Sequence, residues 1–509
     1  MIERIQRRDA ETQPILDFRF WILDYGGSRS IQNLKSKIQN RLRLCVFALF
    51  FFALIGVALV ILYRDGDQQD AGYHYLFARW SWAEPAYLLG VWARPLFTLL
   101  YSLPAQFGYP AAKLFTLALS LLIAWQTFQL ANQLGLERAE LTIPLLFLQP
   151  AFFLVCTQTL TEPLFALLFV IALRLHLTGR TRAGMLVVSL LVLVRPEGFF
   201  LAVLWCGWVL LDRRRVYWTP LLASGAFVWW LAALLASGDP LWIAHNWPPD
   251  WQTANQVSGH GPIWWYFILL PLIVGPLMIQ PFVVGFIYFA RRRQFLTGIS
   301  AFVTLFVLHS VLYARGWFAA AGYPRYLVCV SPAIAIITLA GWNRIAALKR
   351  LGPVSIVLVL SLLVCVFYVD GYKFTRDARA VDETVAWFRG HPRPVSRLIY
   401  SQAYMCIGLD CGPGDKPFLT SDRKINLEQI QESPAHTLIF WDAEVGPKWY
   451  GLRGADFEAL GFTRLLSQPY RLEGWFFRPT WRYHGGPRMQ EMWLFYKEAG
   501  PTGSHSSSP

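Results

Sequence analysis

Long apolar runs set the rhythm of this chain. They lie at about 44–62, 111–134, 141–156, 161–178, 183–194, 197–211, 217–236, 263–290, 295–313, 324–341 and 351–369, separated by polar or charged connectors. A helix crosses a hydrocarbon layer of about 30 Å with roughly 20 apolar residues. The pattern therefore predicts about eleven membrane-spanning helices. The first run is about 18 residues long and lacks a small-residue cleavage site. It reads as a retained helix and not a removed signal peptide.

The connectors alternate in character. One set is short and basic: Arg138; Arg180 and Arg182; Arg213, Arg214 and Arg215; Arg291, Arg292 and Arg293; Arg344, Lys349 and Arg350. Cytoplasmic connectors carry such an excess of Lys and Arg. Residues 1–43 are also polar and basic, so the N-terminus is expected in the cytoplasm. Eleven crossings then leave the C-terminal domain outside the cell membrane. The stretch from Arg182 to Arg213 has basic flanks at both ends and must be a hairpin. Its arms, about 12 and 15 residues, reach only about 18 and 22 Å at 1.5 Å per residue. The turn Arg195-Pro196-Glu197-Gly198 is therefore expected below the outer surface, where charge is tolerated only against protein or a hydrated cavity.

The outer loop from about 64 to 110 repeats Tyr73, Phe77 and Trp80 at helical spacing and has a second apolar stretch, Leu96 to Leu103. These predict interfacial helices with aromatics at headgroup level. Past Asp370 the pattern changes. An amphipathic helix at 377–389, strands at Arg397–Ser401 and His436–Trp441, a helix near Asp456–Leu460 and late aromatic strands predict a small α/β domain. The fold class is thus an all-α polytopic membrane bundle with a C-terminal α/β extracytoplasmic domain. Its parts are a basic segment 1–43, a membrane module 44–370, the α/β domain 371–499 and a Gly/Ser/Pro-rich tail 500–509 expected to be disordered.

Composition agrees: 55% of residues are hydrophobic and only 15% charged, against about a quarter charged in soluble domains. The net charge of +14 follows from the basic connectors, and no nucleic-acid motif accompanies it, so nucleic acid is excluded as a partner. Five cysteines (Cys45, Cys156, Cys206, Cys329 and Cys365) lie in apolar runs and behave as small hydrophobes. Cys406 and Cys411 fall in the terminal domain; a disulfide and two free thiols are both open there.

Ionisable residues at membrane depth are costly and are functional candidates by default. Four groups stand on outer connectors. The first holds Asp65, Asp67 and Asp70, suited to a general base or a hard-metal site, or simply to a solvated loop. Asp70 precedes the aromatic helical face and is the strongest of the three. The second is Thr161-Glu162-Pro163, where the carboxylate can also serve only the helix N-terminus. The third, Arg195-Pro196-Glu197, can be a structural ion pair. The fourth is Tyr323-Pro324-Arg325-Tyr326, whose Arg has a fork that matches phosphate oxygens and can alternatively snorkel to the outer surface.

At these residues the chain resembles the glycosyltransferase C superfamily of polyprenyl-phosphate-sugar-dependent enzymes. Within it, the chain is similar to bacterial relatives of protein O-mannosyltransferases and lipid A aminoarabinose transferases. The resemblance runs over about 44–345. It rests on Asp70…Tyr73-His74, Leu160-Thr161-Glu162-Pro163, Arg195-Pro196-Glu197-Gly198, Gly238-Asp239-Pro240-Leu241-Trp242 and Pro324-Arg325-Tyr326. The usual Asp-Glu pair of the first loop is here Asp70-Ala71. The resemblance implies transfer of a sugar, mannose as the family-level expectation, from a polyprenyl-phosphate carrier to a hydroxyl of a glycan, lipid or protein in the cell envelope, with inversion. It implies Asp70 as catalytic base, with Arg325, Arg195 and His260 toward the donor phosphate. Glu162, Glu197 and Asp67 would bind the acceptor or a divalent cation (Mg or Mn), Glu162 first among them. The alternative from the residues alone is a transporter or lipid-linked-sugar flippase, since submerged charges and broken helices also mark transport paths. A binding or scaffold protein with a mere membrane anchor is a third, in which the acidic first loop would be idle.

Overall fold

The computed structural model describes residues 28–62, 69–211, 216–248, 260–371, 375–413, 422–472 and 488–499. Asp65 and Asp67, the 500–509 tail and most of the 1–43 segment lie outside them. Among the described residues, six helices are long and apolar enough to cross a membrane: Gln39–Leu62, Tyr109–Gln133, Val216–Ser237, Leu296–Arg315, Pro324–Trp342 and Leu351–Tyr368.

The other five predicted runs are helical as well, but short or broken. The run at 141–156 splits into Thr142–Phe147 and Pro150–Val155, because Gln149 takes an extended conformation ahead of Pro150. The Gln149 side-chain NH2 donates to the Leu145 and Ser331 carbonyls. The run at 263–290 breaks at Gly275, where φ is 102°. Thr161–Leu177 is a 17-residue helix, and Thr181–Leu193 and Gly198–Leu210 form the predicted short hairpin. Broken helices at membrane depth persist where protein surrounds them, and Gln149 and Gly275 are themselves buried.

Burial sorts the long helices. Pro324–Trp342 is 94% buried and forms the centre of the bundle, whereas Gln39–Leu62, Val216–Ser237 and Leu351–Tyr368 are about four-fifths uncovered. Their bare Phe, Leu and Val faces need lipid. The central helix meets Ile279–Arg292 through reciprocal glycines. A Cβ on Gly285 would lie 1.8 Å from the Ile337 carbonyl, and one on Gly341 would lie 1.8 Å from the Pro281 carbonyl. Small residues that let backbones approach are the means by which helices pack when lipid supplies no hydrophobic drive.

The two ends of the bundle differ as the sequence pattern demands. At one end basic connectors gather: Arg41 lies 4.0 Å from Glu140, Arg138 donates to the Leu348 carbonyl and Asn343 to the Glu137 carbonyl. At the other end stand the outer helices Gln69–Trp80 and Pro95–Gln106 and the terminal domain. The loop aromatics pack on one another. Tyr73 and Phe77 pack on Trp92, Phe77 stacks on Tyr87, and Trp80 is buried. The loop makes its own small core, because burying these rings in protein removes more apolar surface from water than laying them flat.

The terminal domain is a four-stranded sheet in the order β1 (Arg397–Tyr400), β2 (Thr437–Asp442), β4 (Arg488–Tyr496) and β3 (Thr463–Leu472). The β1–β2 pair is parallel and the rest antiparallel. Ile399, Ile439, Trp441, Phe457 and Phe495 fill one face. Cys406 and Cys411 are disulfide-bonded, deciding between the two states left open by sequence.

Candidate functional site

The candidate residues come from four elements that are far apart in the chain. Asp70 stands in the first turn of the outer helix Gln69–Trp80. Glu162 stands in the first turn of Thr161–Leu177, and Arg195 and Glu197 form the hairpin turn before Gly198–Leu210. Arg325 opens the central helix on a 3-10 turn, Pro324–Val330, with Pro324 at its start. Two of these elements are tied directly: the Thr159 hydroxyl, just ahead of Glu162, donates to the Ala71 carbonyl at 2.6 Å.

Their side chains form one chain of alternating charge. Arg325 pairs with Asp70 through Nη2, and its Nη1 lies 3.8 Å from Glu162 Oε1. Arg195 Nη1 lies 2.7 Å from the same Glu162 oxygen. The Arg195 fork then grips Glu197, with Nη2 at 2.7 Å and Nε at 3.2 Å, and donates to Thr161 Oγ1 at 3.0 Å. The structural Arg195–Glu197 pair therefore exists, but as one link of a longer network. Exposure grades along it: the Glu162 side chain is 0% exposed, Arg325 5%, and Asp70 44%. Only the Asp70 end opens outward. Burial pushes the Asp70 carboxyl up, but the Arg325 guanidinium outweighs it and holds it below the usual carboxylate range. It is therefore ionised at neutral pH.

Three further participants were given no role from sequence. Tyr326 lies beneath both guanidinium groups, 5.4 Å from Arg195 and 5.6 Å from Arg325, where its ring face favours cations. His309 stacks on Tyr326 at 4.9 Å and sets Nε2 3.6 Å from Glu197. Its only sequence signal was a histidine within an apolar run. Arg94 lies within electrostatic reach of Arg195, Glu197, Glu162 and Asp70. It has φ of 66°, costly for a residue with a Cβ and typical of positions fixed by function. The Arg94-Pro95 pair was the readable hint.

His260 does not join the network. It is exposed on its loop, and among the described residues it makes no hydrogen bond, ion pair or ring contact with these groups. The neighbouring Gly261 N–H only tethers that loop to the Tyr313 carbonyl at 3.4 Å. Asp67, the other predicted acid, lies outside the described residues. Arg195 and Arg325 each approach one oxygen of Glu162, the Arg195 fork holds Glu197, and among the described residues no three His, Cys, Asp or Glu side chains are grouped to hold a metal ion.

No family model matches the chain, and no curated protein matches it. Among solved structures, it is similar to the crystal structure of ArnT from Cupriavidus metallidurans bound to undecaprenyl phosphate. The TM-score is 0.61 over 89% of this chain and 97% of that one, at 12% identity. The chain has the ArnT fold. That fold extends past the membrane bundle, since coverage of this breadth includes most of the terminal domain as well. At such identity the likeness is one of backbone, so the chemistry of this ArnT-like chain has to be argued from its own side chains.

Proposed function

We propose that the protein is a membrane glycosyltransferase that moves one sugar from a polyprenyl-phosphate carrier to a hydroxyl acceptor on the extracytoplasmic side, with inversion. The observation that carries this reading is the graded network. Buried arginines sit beside a carboxylate exposed at the mouth, at the end of a lipid-embedded bundle, as a membrane-anchored phosphate and an outside acceptor require. The ArnT fold, crystallised elsewhere with undecaprenyl phosphate, supports the same donor class.

In this reading the acceptor oxygen attacks the anomeric carbon from the face opposite the phosphate. The carbon–oxygen bond to phosphate breaks, the bonding pair leaves on the phosphate, and the acceptor proton passes to Asp70. Arg325, with Arg195 and Arg94 behind it, stabilises the charge developing on the leaving phosphate. Arg325 holds Asp70. A bound phosphate competes for that guanidinium and frees the carboxylate to act as base. Glu162 and Glu197 hold the two arginines in place. Mannose is the first donor sugar to test.

The scaffold reading fails to use Asp70, which is docked on Arg325. Transport has no comparable support, because Asp70, Arg325, Glu162, Arg195 and Glu197 are linked to one another at one place in the bundle.

The test is to incubate the purified chain with a panel of polyprenyl-phosphate sugars and follow donor loss. Asp70→Asn should slow transfer by about a hundred- to ten-thousandfold, the usual worth of a general base, while still binding undecaprenyl phosphate. Near-normal transfer by Asp70→Asn would remove it as the base. No transfer from any donor by the native chain would overturn the activity.

A further inference from the structure

One short segment of the terminal domain lies against the outer helix, beside a further approach of Tyr73 to Tyr400 and Tyr450. The helix Ala403–Leu409 lies so close to Gly72 that a Cβ there would sit 2.7 Å from the Ala403 Cβ, with Tyr404 and Ile407 at 3.5 Å. Gly72 is two residues from Asp70. Directly after that helix, Asp410 turns into the left-handed region with φ of 57°. It pairs with Arg79 at 2.6 Å, in the last turn of the outer helix. The next carbonyl, that of Cys411, accepts from the Trp80 indole at 3.4 Å. The disulfide to Cys406 closes this turn, so both acceptors are presented from one cross-linked loop. Tyr404 also meets Tyr109 of the bundle, hydroxyl to hydroxyl, at 3.4 Å. The outer helix is therefore gripped at both ends by the terminal domain, with Asp70 at the end nearer the bundle.

We infer that the disulfide-closed segment 401–411 is a positioning element: it holds the outer helix and so sets Asp70 against Arg325. The Arg79–Asp410 pair is too exposed, at 31% and 70%, to carry this alone, since such pairs contribute little. The close Gly72–Ala403 contact and the cross-linked turn carry it. Reduction of the disulfide loosens the turn, which makes the site dependent on an oxidising exterior. The inference rests on the reading of Asp70 as the base, and its consequence is specific. Losing the grip shifts the carboxylate but leaves the phosphate-binding arginines on their own helices, so kcat falls while donor affinity holds.

The experiment compares full-length Gly72→Ala, the double variant Gly72→Ala/Ala403→Gly, Cys406→Ser/Cys411→Ser, and Arg393→Ala as a control at the exposed Arg393–Glu498 pair. Three quantities are read: kcat and KM for sugar transfer, undecaprenyl phosphate affinity, and amide hydrogen exchange over residues 69–80. Gly72→Ala and the double Ser variant should lose about ten- to a hundredfold in kcat, the scale of a misplaced catalytic group. Their exchange over 69–80 should rise and donor affinity should stay within about threefold. Ala403→Gly should restore the Gly72→Ala protein, and Arg393→Ala should match the native chain. Unchanged exchange, or faster exchange with native kcat, overturns the inference. So does a kcat loss without faster exchange, which would place the effect elsewhere. If the native chain transfers no sugar but exchange rises in the variants, the grip stands and the glycosyl-transfer reading is what fails.

Discussion

Arg195 Nη1 stands 2.7 Å from Glu162 Oε1, and the glutamate side chain is wholly buried. This pair joins the hairpin turn to the start of another helix, and it lies at the centre of the network. Burying both charges is tolerable only because each has several partners. Arg195 also binds Glu197 and Thr161, and Glu162 also faces Arg325.

Removing one partner therefore strands the other. Glu162→Gln should lower sugar transfer strongly and destabilise the chain by about 3–5 kcal/mol, the range for breaking a buried pair, read as a drop in melting temperature in detergent. Because Arg195 and Arg325 both face Glu162, native turnover should not change in excess chelator. Loss of turnover in chelator, restored by Mg or Mn, would return Glu162 to a metal role.

Arg325→Lys keeps the charge but cannot offer the two-pronged donor geometry that suits a phosphate. Affinity for undecaprenyl phosphate should fall, with protein yield little changed. Native affinity in the variant would take Arg325 out of the donor site.

Asp442 sets a pH dependence in the terminal domain. Burial pushes its carboxyl up to about 6, although the Glu444 and Val445 N–H groups and the Tyr470 hydroxyl pull the other way. The unfolded chain releases this proton near 3.9. Between about pH 4 and about pH 6 the folded domain binds more protons than the unfolded one. Its stability therefore falls as pH rises through that window and levels off above it, by about 3 kcal/mol in total at roughly 1.4 kcal/mol per unit. Asp442→Asn should flatten this profile. Melting of the variant that keeps the native slope from pH 4 to 6 would assign the dependence to another group.

Topology is open to a direct check. A reporter active only in the cytoplasm, fused after residue 499, should be silent, because the basic connectors gather at the end of the bundle away from the terminal domain. Activity there would put Asp70 and its network on the cytoplasmic side and reverse the direction of transfer.

The sequence by itself determined the helices and their order. In lipid every backbone polar group must be paired within its own segment, so a run of apolar residues such as 351–369 has one solution, visible without any neighbour. The same logic marked Asp70, Glu162, Arg195, Glu197 and Arg325 as costly where they stood. It also foresaw the short hairpin, because helix length is fixed by residue count. What only the tertiary structure decided was who meets whom. Glu162 takes Arg195 as well as Arg325, His309 and Arg94 join the network, and His260 stays out. The breaks at Gln149 and Gly275 and the inward packing of Tyr73 and Phe77 depend on neighbouring helices for partners. The grip of Ala403 on Gly72 joins two domains. Hydropathy is a local quantity summed along the chain, whereas an ion pair or a close helix contact is set by distances between residues that the chain itself leaves far apart.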